Sequence, residues 1–230
     1  MVSEDPLRRR LLGLLRRHGW NATSFQVVEL ELRYWFDPED DAAVAYYDTG
    51  FAWVVAGAPI ASIDRCAEVT RRFADEARRR RKRIVFFAIE PRFLNSVPMR
   101  SLAIGEQPSW DPRLWTERHR GHRGLKEQLR RARAKGVAVE RIASEDAIGA
   151  MRPQLERIIT RWLAARAMPP MSFLVAIQPF LFAEERRYYA GWVAGELVGL
   201  LVAVPVYGRN GWSSRTSCAI RARRMAPASC

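Results

Sequence analysis

Leu7, Leu11, Leu14 and Leu15 fall on one face when residues 6–18 are wound as a helix, and arginines fill most other positions. Pro6 suits the first turn of that helix, where its missing amide hydrogen is not needed. From Phe25 the period shortens. Residues 25–36, 43–47 and 51–56 are rich in aromatic and β-branched side chains, and Asp37-Pro38 and Thr49-Gly50 separate them as turns. These stretches predict an antiparallel meander. Ile63, Cys66, Val69, Phe73 and Ala77 then recur at three- and four-residue steps, predicting a helix with one buried stripe and Ser62 as its cap. The basic run 78–83 ends that helix at its negative pole, with phosphate binding as the alternative reading. Residues 84–89 read as a buried strand, and 100–104 as another that leads into Gly105-Glu106.

A second set of elements follows a loop containing Trp110-Asp111-Pro112 and Trp115. Residues 124–135 predict a basic helix that turns Leu125 and Leu129 inward and stops at Gly136. A strand over 137–142 comes next, then a helix over 144–167 that Pro153 divides near its start. Residues 187–194 and 197–207 form a hairpin across Gly195-Glu196. Meander, helix, strand, strand, then helix, strand, helix, hairpin argues for an α/β (α+β) protein of two mixed units, over 1–120 and 121–212.

The pattern breaks at Ser213. Residues 213–230 carry four Arg, no Asp or Glu, and two of the three cysteines, after a dense apolar hairpin. One reading is a disordered basic tail. The other is a frameshift after Trp212, because codons compatible with 212–230, taken one base back, spell V-F-E-D-L-L-R-D-P-R-A-P-N-G-T-S-K-L. That alternative has helix formers, balanced charge and a Pro-Asn-Gly turn.

Net charge is +13, and 35 of the 38 basic residues are Arg. Such a surface favours anionic partners, nucleic acid or phospholipid headgroups, without choosing between them. Cys66, Cys218 and Cys230 have no metal-like spacing and form no disulfide framework, which suits a reducing, cytoplasmic setting. Residues 1–20 are charged from the start and lack a signal peptide's apolar core. The longest apolar run, 197–206, is about half a membrane span, so no transmembrane segment is expected.

Three stretches together carry a resemblance: S-L-A-I-G-E over 101–106, Trp110-Asp111-Pro112, and L-K-E-Q-L-R-R-A-R-A-K-G over 125–136. They resemble the catalytic domain of bacterial phosphatidylglycerol lysyltransferases, and more closely its soluble single-domain relatives, over roughly residues 25–207. The resemblance implies a tandem GNAT-like fold (acyl-CoA N-acyltransferase-like) with an incomplete second unit. It also implies transfer of an aminoacyl group from charged tRNA to a lipid headgroup or another amine or hydroxyl acceptor. No cofactor and no metal is implied, and the setting is cytoplasmic, peripheral to the inner face of the membrane. Those enzymes carry a Lys-x-Gly-Glu strand end and a later Asp-Leu-x-Arg followed by Pro-Asn-Gly. Gly105 and Glu106 match the first motif, whereas Ala103 stands at the lysine position. The second motif occurs only in the shifted reading, which implies an impaired enzyme.

Aminoacyl transfer from an ester needs a positioned acceptor, donors for the developing oxyanion, and a carboxylate for the donor's α-amino group. Glu106 is the candidate carboxylate, with a surface turn residue as the plain alternative. Gly105, Arg123, Lys126, Arg130 and Arg131 are the candidate substrate contacts, the cations facing tRNA phosphates or an anionic bilayer. A solvated basic face is the alternative there. His18, His119 and His122 lack ligand spacing, and Trp110, Trp115, Trp162 and Trp192 read as core or interface anchors, with stacking on the tRNA acceptor end a second role for Trp110 or Trp115. Two other functions remain open: a non-enzymatic basic module that binds RNA or a membrane surface, and an acyl-CoA acyltransferase. The latter needs a glycine-rich pyrophosphate loop after the hairpin, where the chain has its basic end instead.

Overall fold

The structure is a computed structural model that describes residues 5–29, 31–39, 41–165 and 178–219. It divides into two compact units, Met1–Ala103 with Val204–Ser213, and Ile104–Ala203 with Ser214–Cys230. The first division thus falls at Ala103, against an expected boundary at residue 120, and residues 204–213 return to the first unit.

In the first unit, helix α1 (Pro6–His18) starts under Asp5, whose side chain accepts from the Leu7 amide at 3.0 Å. Leu11, Leu12, Leu14 and Leu15 are buried, while Leu7, expected on the same face, lies in the first turn and is half exposed. The far end of α1 is pinned by Gly208, whose amide donates to the Gly19 carbonyl at 2.8 Å. A Cβ at Gly208 would stand 3.0 Å from that oxygen, so any larger residue would push the two segments apart by a few tenths of an ångström.

Strands β1 (Arg33–Phe36), β2 (Ala43–Asp48) and β3 (Ala52–Ala56) form the expected meander, with Trp35 opposite Val44 and Tyr46 opposite Val55. The first half of the predicted 25–36 strand is instead a 3-10 turn, Ser24–Val28. Phe25, Val27 and Val28 are all buried, which an alternating strand cannot do and a tight helical turn can. Helix α2 (Cys66–Arg79) buries Cys66, Val69, Phe73 and Ala77 as its spacing requires. It crosses over to β4 (Arg83–Phe87), which runs parallel to β3 with Val85 opposite Val54. β4 ends the sheet order β1-β2-β3-β4, and as an edge strand it is half exposed rather than buried.

Asp37, fully buried after β1, accepts from Arg65 at 2.8 Å and from Arg72 at 3.2 Å and so ties α2 to the β1–β2 turn. The basic run at the end of α2 is largely neutralised locally: Arg78 meets Asp75, Arg79 and Arg80 share Glu76, and Lys82 meets Asp48. Helix α3 (Pro91–Ser96) packs Phe93 under the same core.

The strand predicted over 100–104 does not form. Residues 97–111 are irregular, and Leu102 and Ile104 are 84% and 64% exposed. Pro98 and Pro108 flank the segment without amide donors, and the two apolar side chains bury too little to fix a register.

The second unit holds α4 (Trp115–Gly121), α5 (Arg123–Ala134), β5 (Ala138–Ile142), α6 (Ser144–Ile148), α7 (Arg152–Ala164), β6 (Arg187–Val193), β7 (Glu196–Val206) and β8 (Gly211–Ala219), with both long final strands including residues of the first. The expected 144–167 helix breaks at Gly149, and Pro153 sits in the first turn of α7. Its last two residues lie outside the described residues. β5, β6 and β7 are antiparallel neighbours, and Ala194 and Gly195, both at positive φ, make the two-residue hairpin loop. Leu155, Ile158, Tyr188, Ala190, Leu200 and Val202 form the core.

β8 corrects the expectation of a tail over 213–230 for its described part, residues 213–219. Residues up to Ala219 extend the sheet beside β7, and Cys218 joins the core. Buried Thr216 and Cys218 alternate with exposed Ser217 and Ala219, a period of two that the arginine count had masked. Residues 220–230 lie outside the described residues.

Candidate functional site

All six residues singled out from sequence belong to the second unit. Gly105 and Glu106 lie exposed on the irregular segment 97–111, not at a strand end as expected. A Cβ on Gly105 would meet nothing within 4 Å, so no close backbone approach explains that glycine. Glu106 makes no hydrogen bond or ion pair among the described residues, leaving its carboxylate open to a ligand ammonium.

Helix α5 carries the four cations. It is a basic amphipathic helix: Leu125, Leu129 and Ala132 are half buried, while Arg123, Lys126, Arg130 and Arg131 are exposed. Their chemistry splits in two. Arg130 and Arg131 both hold Glu127, at 2.8 Å each, and these contacts pull the Glu127 carboxyl below its ordinary range, Arg130 most strongly. Arg123 and Lys126 meet no carboxylate among the described residues, so they are the cations available to an incoming phosphate. Glu106 pairs with none of the four.

The segment that joins Glu106 to α5 exposes Trp110, Leu114 and Trp115. The Trp115 ring stacks on His119 at 5.9 Å, and Asp111 caps the following turn through the Arg113 amide at 2.9 Å while also clamping its guanidinium. Asp111 is therefore a structural turn residue. Trp110 and Trp115 anchor no core, contrary to their expected role. Between residues 97 and 137 ten basic residues face four acidic ones, interleaved with exposed aromatic rings. That combination suits a phosphate-rich surface.

The model of the family described as phosphatidylglycerol lysyltransferase, C-terminal, matches residues 11–216. The chain belongs to that family. The match to the lysyltransferase C-terminal family runs from inside α1 into β8, past the point where the sequence pattern breaks. Two solved structures share the fold. One is the C-terminal domain assigned to a lysylphosphatidylglycerol synthetase from Agrobacterium fabrum, 17% identical with a TM-score of 0.78, covering 96% of this chain and 69% of that one. The other is L-PGS from Bacillus licheniformis, 19% identical with a TM-score of 0.78, covering 97% and 68%. No curated protein matches the chain. The mixed α/β architecture with two sheets is thus that of the lysyltransferase C-terminal domains, and no helix among the described residues is long and apolar enough to cross a membrane.

Proposed function

We propose that the chain is a peripheral, cytoplasmic transferase that moves an aminoacyl group from charged tRNA to an anionic phospholipid headgroup or another hydroxyl or amine acceptor. The observation that carries this reading is the family match over residues 11–216. In the proposed reaction the acceptor oxygen or nitrogen attacks the ester carbonyl of the aminoacyl-tRNA. A bond to that carbonyl carbon forms, the bond to the terminal ribose oxygen breaks, and the acceptor's proton ends on the ribose hydroxyl. Glu106 holds the ammonium of the transferred amino acid, with Gly105 leaving its approach unobstructed. Arg123 and Lys126 hold tRNA phosphates, and Arg130 and Arg131 add positive potential around them. The scaffold is two GNAT-like units, the second incomplete. Transfer is weak in this chain, because Ala103 replaces the family lysine and the Asp-Leu-x-Arg motif is met only in the shifted reading.

Ala103 favours a second reading, a basic module that binds RNA or an anionic membrane surface without turnover. Both readings predict charge-dependent tRNA binding, and the first requires it. Filter binding of charged tRNA across a salt series is expected to give a steep fall in affinity. In the Arg123→Gln, Lys126→Gln double variant, the log–log slope should shrink by about 2, about one for each phosphate no longer held. A slope unchanged by the double variant would remove α5 from the donor site.

A further inference from the structure

The first unit contains a cleft that the transfer reading does not use. It opens beyond the carboxyl ends of the parallel pair β3 and β4, the position where open α/β sheets place ligands. The loop after β3 supplies Ala58, Pro59 and Ile60, and Phe93 of α3 supplies a wall from the β4 side. Trp20 and Asn21, just beyond α1, complete an inner recess of about 30 Å³. That is room for one or two water-sized groups. An outer lobe of about 310 Å³, lined by His18, Ser62, Asp64, Arg92 and Gly208 among others, continues it to the surface.

Two donors in this cleft lack acceptors among the described residues. Asn21 is 7% exposed, and its Nδ2 has no hydrogen-bond partner among them. A buried amide donor is ordinarily satisfied, and this unmet one belongs to a side chain that lines the recess. The Arg92 guanidinium lies 3.8 Å over the Trp20 ring and pairs with no carboxylate among the described residues. Its neighbours differ. Arg209, on the same ring at 5.3 Å, is neutralised by Glu90, and Arg17 and His18 both engage Asp41, at 3.4 Å and 3.2 Å. Glu90 also accepts from the Ala22 amide at 2.9 Å, which fixes the loop that carries Trp20 and Asn21. Stacking holds Arg92 flat without consuming its fork of donors, the state in which guanidinium grips an oxyanion bidentately. Cys66 also lines the recess, and burial pushes its thiol up against the opposing pull of the Arg92 charge. Asp64 at the outer lobe disfavours a second negative group there.

We propose that this cleft binds the carboxylate or phosphate group of a small molecule, with Arg92 pairing to the oxyanion and Asn21 donating to it from the recess. The apolar wall of Pro59, Ile60 and Phe93 takes the remainder of the ligand.

Calorimetric titration of the full chain with acetate, inorganic phosphate and glycerol 3-phosphate, at matched ionic strength, tests the site. Saturable binding of at least one is expected. Acetate alone would identify a carboxylate ligand, both phosphates a free phosphate, and glycerol 3-phosphate alone a phosphoester such as a lipid headgroup. Arg92→Gln and Asn21→Leu should each weaken that binding at least about tenfold, while Arg161→Gln, exposed on α7, leaves it unchanged. If a variant fails to fold, the unaltered chain decides. The bound probe should slow iodoacetamide labelling of Cys66, read on its own peptide by mass spectrometry. Absence of saturable binding with all three probes, or binding indifferent to both cleft substitutions, would overturn the proposal without touching the transfer reading.

Discussion

Replacing Phe73 with alanine is expected to lower the stability of the first unit by about 4 kcal/mol, the largest effect of any single substitution considered for it. Phe73 is 0% exposed on the inward stripe of α2. Its ring meets Trp35 at 5.6 Å, Tyr46 at 5.5 Å and Trp53 at 5.3 Å, one ring from each strand of the meander. Those three rings stand on strands whose register is fixed by backbone ladders, so they cannot close over the space left behind. The cavity term therefore stays nearly whole. The ion-pair network beside it is a weaker prop. Arg65 and Arg72 also meet Glu39 and Glu68 and are partly solvated, so each cation keeps other partners when one is removed. Urea unfolding followed by tryptophan fluorescence is the check. A midpoint shift equivalent to less than about 1 kcal/mol would show that the aromatic cluster does not hold the unit together.

Glu106→Gln is expected to slow aminoacyl transfer about 100-fold while leaving the melting curve unchanged. The two halves of that statement have one cause. Glu106 is exposed on an irregular segment and bonds to nothing among the described residues, so amide for carboxylate removes no packing, pairing or cap. What it removes is the negative charge proposed to hold the ammonium of the transferred amino acid. Gln keeps the size and can still accept a hydrogen bond, so the rate ratio isolates charge. Initial rates of label transfer, with a melt of each protein alongside, measure both quantities. Equal transfer rates for the two proteins would leave Glu106 as a surface turn residue and assign the ammonium contact to another group.

Much of the secondary structure was legible because periodicity is local. The Leu11–Leu15 stripe, the Cys66–Ala77 stripe and the β6–β7 hairpin each bury one face, and that face is written in the residue spacing. The errors arose where a neighbour decides. Ser24–Val28 has strand-like composition but buries three side chains on one tight turn. Leu102 and Ile104 have strand spacing and no partner strand among the described residues. In β8 three serines and Arg215 hid a period-two pattern, and only the company of β7 makes Cys218 a core residue. The candidate transfer site was legible as a motif alone, since an exposed glutamate on an irregular segment leaves no packing signature. The cleft in the first unit was not legible at all. Asn21 and Arg92 lie far apart in sequence, and nothing about either marks it until the fold leaves both without acceptors among the described residues.

The most direct test of the account follows a labelled amino acid. Purified chain is mixed with tRNA carrying radiolabelled aminoacyl ester and a bacterial extract, and the lipid, peptide and small-molecule fractions are then separated. The account predicts slow, protein-dependent appearance of label in an acceptor fraction, faster when the chain after Trp212 follows the shifted reading. Label that stays on the tRNA with both proteins, while the tRNA still binds in low salt, would contradict it.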